Sequence, residues 1–317
     1  AGDRLLDDFF RDTRPEVEKI SADPEQMKKF ILAQKDVNAR LAGGKTLLHY
    51  AAFRNDAGNV ALLLQKGAAV NAADAHGRTP LHEAMAYRRY DVARFLVENG
   101  ADMTVKNKDG ETPLISIVYM DNKKTAVDLV NFFIAKGFNV SRSADAKLLN
   151  ESIGRGHHDV AVILLEKGIA FDDSSLRGAA SMGYEDIFVT LLSRGADPRH
   201  KDILRAASAS GNVGILKTLL EKGQRPTAED VDLALYKGRR DAAVLLNEAL
   251  KRSGGQDVDL TARCRMKADP GPCMALFDAG YYDEIAGRCR SFTYGGCGGS
   301  APFETESACK RICEDNK

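Results

Sequence analysis

All six cysteines of this 317-residue chain fall between Cys264 and Cys313. The long stretch before Cys264 holds none. So uneven a distribution divides the chain into a long part that must fold on apolar burial alone and a segment of about fifty residues too short to do so. The cysteines therefore read as a disulfide framework. Zinc competes for such clusters but favours close Cys-x2-Cys pairs with histidines. Here the closest pair is Cys309-x3-Cys313, and no histidine follows His200. Disulfides persist outside the reducing cytosol, which predicts an extracytoplasmic place of work. The opening residues Ala1-Gly2-Asp3 suit a terminus left by removal of a leader.

Charge narrows the field further. The 45 Lys and Arg residues balance the 45 Asp and Glu residues, so no excess of basic charge points to a nucleic acid or an anionic membrane surface. No apolar run approaches the roughly 20 residues of a membrane span.

The cysteine-free part repeats itself. Gly44-Lys45-Thr46-Leu47-Leu48-His49, Gly77-Arg78-Thr79-Pro80-Leu81-His82 and Gly110-Glu111-Thr112-Pro113-Leu114 start 33 residues apart. Between them a second phrase recurs, ending at Gly67, Gly100, Gly137, Gly168, Gly195 and Gly223. Thr-Pro opens a helix, because Thr can cap free N–H groups and Pro suits the first helical position. The imidazole of Leu-His can satisfy backbone groups of neighbouring turns. An apolar run ending in Lys-Gly or Asn-Gly closes a helix, since glycine takes the left-handed conformation without strain. Each unit is thus helix, turn, helix, loop.

These phrases and their period resemble the ankyrin repeat over roughly residues 35–250. The resemblance implies a mainly α fold, a solenoid of residues 1–251. Residues 5–34 would form a helical front cap and 227–251 the last helical pair. From Ser143 on, no unit keeps Thr-Pro-Leu-His, and the glycine spacing moves from 33 to 37, 31, 27 and 28. The 37 places about four inserted residues near Met120–Lys124, in a loop. The later, shorter spacings predict shortened finger loops.

The C-terminal spacing is Cys264-x8-Cys273-x15-Cys289-x7-Cys297-x11-Cys309-x3-Cys313. Spacing alone leaves fifteen connectivities. Gly271-Pro272-Cys273 and Phe292-Thr293-Tyr294-Gly295-Gly296-Cys297 resemble the Kunitz, or pancreatic trypsin inhibitor, family. That resemblance implies a small disulfide-rich α+β domain over 262–317, after a linker at 252–261. It also implies the bonds Cys264–Cys313, Cys273–Cys297 and Cys289–Cys309. Tyr281-Tyr282 and Arg290–Tyr294 would be hairpin strands, turning at Asp283–Gly287. In the family, a rigid loop enters a serine protease like a substrate. Here that loop would be Pro272, Cys273, Met274, Ala275 and Leu276, with Met274 in the specificity pocket. Met274 suits a chymotrypsin- or elastase-like pocket, not a trypsin-like one. Ala279 stands where the family usually carries a structural Arg, and Ala301-Pro302 stand where it places an Asn. A domain serving as cap or spacer is the competing expectation.

Ankyrin arrays resemble one another in binding proteins through finger loops and first helices. Carried onto this chain, the family's binding positions are Lys45, Phe53, Arg54, His76, Arg78, Tyr87, Lys108, Glu111, Tyr119 and Met120. The set is rich in the aromatic and Arg side chains found at binding hot spots. The expectation is a non-enzymatic protein, without metal or cofactor, that holds and inhibits a partner hydrolase. The periplasm is favoured over a secreted fluid. The partner would be a peptidoglycan hydrolase, by similarity to periplasmic ankyrin immunity proteins of predatory bacteria. The alternative is a secreted serine-protease inhibitor acting through Met274.

No catalytic pattern competes. Gly43-Gly44-Lys45-Thr46 ends like a phosphate loop, but Ala39 stands where the first glycine is required. His82-Glu83 starts like a zinc-protease helix, but Ala86 holds the second histidine's place. His157-His158 lacks a nearby third ligand.

Overall fold

The computed structural model describes residues 23–142, 146–272, 276–296 and 299–314. It divides into two compact units, Ala1–Leu148 with Glu166–Ile169, and Leu149–Leu165 with Ala170–Lys317. Of the expected front cap, residues 5–22 lie outside the described residues, while helix α1 (Pro24–Ala33) is formed. Asp23 caps it by accepting from the Glu25 N–H at 2.9 Å.

In the first unit the repeated phrases become helical pairs. These are α2 (Leu47–Arg54) with α3 (Ala57–Gln65), then α4 (Pro80–Ala86) with α5 (Tyr90–Glu98). A 3-10 helix (Pro113–Tyr119) is followed by α6 (Lys123–Ala135). Residues at the same place in successive repeats become the core: Leu48, Leu81 and Leu114 in the first helices, Leu63, Leu96 and Leu129 in the second. Burying each stabilises by roughly 1.5–3 kcal/mol.

The histidines hold the repeats together. His49 Nδ1 accepts the Thr46 backbone N–H at 3.0 Å, and its Nε2 lies 2.9 Å from the Arg78 carbonyl of the next repeat. His82 does the same with Thr79, at 3.0 Å, and the Glu111 carbonyl, at 3.1 Å. This pattern requires the neutral imidazole with its proton on Nε2. Burial accordingly pushes both pKa values down, against the opposing pull of the backbone carbonyls.

The four extra residues of the third repeat are not in the loop where the sequence placed them. Helix α6 has 13 residues where α3 and α5 have 9, and it starts at Lys123, in register with Ala57 and Tyr90. Four residues add about one turn, which returns the helix to the same face and leaves its buried stripe intact.

Helices α7 (Ala146–Gly154) and α8 (His158–Glu166) lead into the second unit. That unit continues with α9 (Asp173–Met182), α10 (Glu185–Ser193), α11 (Lys201–Ser210), α12 (Val213–Glu221), α13 (Ala228–Tyr236) and α14 (Arg240–Arg252). The expected linker does not hang free. Asn247 donates to Asp257 at 2.8 Å and to the Val258 carbonyl at 3.1 Å, and accepts from the Val258 N–H at 3.0 Å, tying the segment to α14.

The C-terminal domain is a hairpin and a helix. Strand β1 (Phe277–Asp283) pairs antiparallel with β2 (Arg288–Tyr294), in register from Phe277↔Tyr294 to Asp283↔Arg288. Asp283 shapes the turn by accepting from the Ile285 and Ala286 N–H groups. Helix α15 (Glu306–Cys313) is joined by Cys289–Cys309 to the hairpin and by Cys264–Cys313 to the start of the domain. Phe303 is fully buried beneath them.

Candidate binding face and inhibitory loop

A groove of about 420 Å³ lies on the first unit between the second and third repeats. Its floor is made by Met85 and Ile115 and its rims by Arg78, Arg88, Glu111 and Tyr119. The finger turns are built by an acidic or amide side chain at a fixed place. Asp74 Oδ1 accepts from the His76 and Arg78 N–H groups at 2.8 and 2.9 Å. Asn107 repeats this with Asp109 and Glu111, both at 2.9 Å. Neighbouring fingers are then bonded backbone to backbone, Ala75 N–H to the Gly43 carbonyl and Lys108 N–H to the His76 carbonyl. A rim built this way is preorganised, so little ordering remains to be done on binding.

The expected site residues fall into three groups. Arg54, His76, Tyr87, Lys108 and Tyr119 are exposed, Tyr87 and Tyr119 by 45% and 49%. Phe53, Lys45, Arg78 and Glu111 are half-buried and engaged. Phe53 meets Tyr87 edge-on, ring centres 4.4 Å apart, so it supports Tyr87 from below and is not itself an exposed aromatic. Lys45 and Arg78 both approach the fully buried carboxylate of Glu83, at 3.1 and 3.6 Å. Glu111 pairs with Lys147 at 2.6 Å. Met120 is a correction: as the C-cap of the 3-10 helix it is buried, only 5% exposed, and offers little surface to a partner.

Arg88 was missed by the sequence reading. It stands at φ +60°, a conformation costly for a residue with a Cβ. From there its guanidinium reaches Asp121 at 3.2 Å and the Tyr119 carbonyl at 3.4 Å. The signal was available: Asn55, one period earlier, is a residue that tolerates φ > 0, and Arg88 replaces it.

Of the expected inhibitory loop, Cys273, Met274 and Ala275 lie outside the described residues, as does Cys297 and with it the third disulfide. The loop's own end residues Pro272 and Leu276 are exposed, Leu276 by 84%, and Phe277, next along the chain, by 57%. The sulfurs of Cys289, Cys309 and Cys313 lie within 4.8 Å of one another, but each is used in a disulfide and none is a free thiolate ligand.

Helical pairs in a repeat array, followed by a hairpin and helix stapled by disulfides, define a helical-repeat scaffold carrying a small disulfide-framed domain. Ankyrin-repeat profiles match residues 19–107 and 81–134, and the Kunitz/bovine pancreatic trypsin inhibitor domain matches residues 263–314. The chain belongs to the Kunitz/bovine pancreatic trypsin inhibitor family through that C-terminal segment, and its N-terminal part consists of ankyrin repeats. The C-terminal segment is 51% identical over 51 residues to Kunitz-type serine protease inhibitor bitisilin-2 of Bitis gabonica, covering 16% of this chain and 57% of that protein. It is 49% identical to Kunitz serine protease inhibitor Pr-mulgin 1 of Pseudechis rossignolii, over 16% of this chain and 61% of that protein. It is 47% identical to Mambaquaretin-1 of Dendroaspis angusticeps, over 16% of this chain and 90% of that protein. The match thus spans little more than half the length of the first two relatives.

Proposed function

We propose that this is a non-enzymatic protein-binding protein that holds and inhibits a partner enzyme through the finger and first-helix face of its N-terminal repeats. The single observation carrying this reading is the groove beside Tyr119. The solvent-exposed Tyr119, two Arg side chains and an apolar floor share one preorganised surface, the mixture that dominates binding energy in protein interfaces. The disulfides support a setting outside the reducing cytosol. A peptidoglycan hydrolase restrained in the periplasm is the partner class we favour. The test is calorimetry of the partner captured from the native envelope against Tyr119→Ala, Arg78→Ala and Met274→Asp. Losses of at least ~1 kcal/mol in the first two, with Met274→Asp neutral, support the reading. Neutral Tyr119→Ala and Arg78→Ala refute it.

A second reading is favoured by a separate observation. The relatives' names include serine protease inhibition, and Leu276 of the expected loop and the adjoining Phe277 stand exposed. On this reading the protein inhibits a chymotrypsin-like protease through Met274. Titration of chymotrypsin activity with the intact chain decides it, and a Met274→Asp variant that inhibits equally well would dismiss it.

A further inference from the structure

In the last helical pair, helix α13 closes at a left-handed turn whose glycine is Gly238, at φ +68°, before α14 begins. Equivalent turns close α9 at Gly183 and α11 at Gly211. Each of those is covered by the repeat that follows it. Asn212 donates to the Gly183 carbonyl at 3.1 Å and its Cβ lies close over Gly183. Arg239 lies so close over Gly211 that a Cβ there would come within 2.6 Å of it. No repeat follows Gly238. Helix α15 of the Kunitz domain stands there instead.

The substitution is detailed. Arg311 Nε donates to the Gly238 carbonyl at 3.0 Å, as Asn212 does to Gly183. A Cβ on Gly238 would lie 2.5 Å from Ala308 Cα, so the two backbones are in direct contact and only glycine fits. The Glu304 N–H donates to the Tyr236 carbonyl at 3.0 Å, and the Glu304 carboxylate pairs with Lys237. Arg263, only 12% exposed, forks onto Asp232 at 2.6 and 2.8 Å, donates to the Pro302 carbonyl and lies 5.1 Å over the Tyr236 ring. The connecting segment is fixed to α14 by Asn247 as well. The domain is thus held at both ends of its chain, by polar contacts with fixed geometry.

We infer that the Kunitz domain has a second function, as the C-terminal cap of the repeat array. It occupies the place of the next repeat and supplies the contacts that repeat would make. A repeat stabilises mainly through its neighbours, so a terminal pair without a cap frays first. Docking through α15 and residues 302–304 leaves Pro272, Leu276, Phe277 and the hairpin tip Ile285 exposed, so capping and binding use different faces of the domain.

The test is amide hydrogen exchange on the intact, oxidised chain. Lys237→Glu and Glu304→Lys each place like charges at the joint, and the double variant restores an opposite pair. Each single variant is expected to speed exchange in α13 and α14 roughly tenfold, while the amides of β1 and β2 keep their protection. The double variant is expected to recover most of that loss. Arg263→Ala should act like the single variants. Unchanged exchange in α13 and α14 across Lys237→Glu, Glu304→Lys and Arg263→Ala would overturn the inference. So would loss without recovery in the double variant, because the effect would then not pass through the pair.

Discussion

Arg88 holds a left-handed backbone that Asn55 holds one repeat earlier and that Gly183, Gly211 and Gly238 hold in the second unit. Nothing in the packing requires an arginine there; its side chain is exposed and its ion pair with Asp121 is open to solvent on both sides. Such a pair stabilises little. The strain is therefore uncompensated in the free protein, the pattern expected where a side chain is kept for binding. Arg88→Gly should raise stability by about 0.5–1 kcal/mol in chemical denaturation, the left-handed relief being partly offset by the flexibility of glycine in the unfolded chain. A destabilised variant would show that Arg88 holds the repeats together. The histidines give a pH prediction. His49 and His82 have pKa values depressed by burial, so between their folded values and about 6.5 the unfolded chain binds more protons than the folded one. Their contribution is complete above about pH 6.5 and is lost as pH falls below it. Denaturation midpoints of a His49→Gln, His82→Gln double variant should fall less between pH 7 and pH 5 than those of the parent, and equal falls would count against these two residues as the source.

At the scale of elements, the third repeat shows what one changed side chain does. Ile115 stands where His49 and His82 stand in the first two repeats. No imidazole then meets Thr112, whose buried Oγ1 has no hydrogen-bond partner among the described residues, and the helix that follows is 3-10 and not α. Thr79 Oγ1, in contrast, lies 2.9 Å from His82 Nδ1. The same substitution should thus have opposite signs at equivalent places. Thr112→Val removes an unsatisfied hydroxyl and should stabilise by about 1 kcal/mol, whereas Thr79→Val breaks a made bond and should cost about 1–2 kcal/mol. Thermal melts of the two variants check this, and two losses of equal size would refute it. The repeat phrases made helical pairs, core columns and the role of the histidines legible, because each follows from a local rule repeated at fixed spacing. The location of the extra turn was not legible. Residues Lys123–Ala135 are helical and apolar-periodic wherever the four residues are counted, and only the start of α6 in register with Ala57 and Tyr90 places them at its far end. Met120 failed for a different reason: its position in the repeat is right, but as the C-cap of the 3-10 helix it is buried.

For the whole molecule, the cysteine boundary that divides the sequence is not the boundary that divides the contacts. The sequence invites an independent disulfide domain behind a linker, so that reduction would unfold only residues 262–317. The compact unit in the structure comprises Leu149–Leu165 and Ala170–Lys317, with Arg263, Glu304, Ala308 and Arg311 seated on α13 and its closing turn. Neither side of that joint is visible in sequence, since the partners lie 31 to 73 residues apart and follow no repeat. Disulfides stabilise largely by restricting the unfolded chain, by about 2–4 kcal/mol each, so their reduction should unfold the small domain first. Once α15 melts, α13 loses the covering at Gly238 and the ring contact at Tyr236, and the last pair should open with it. Hydrogen exchange after reduction should therefore show lost protection over 228–252 as well as 277–313, with α2 to α5, which belong to the other compact unit, unchanged. Circular dichroism should register the same event as a loss of helical signal larger than the eight residues of α15 can supply. Full protection of α13 and α14 in the reduced chain would mean that the repeats end securely at Arg252 without the domain that follows.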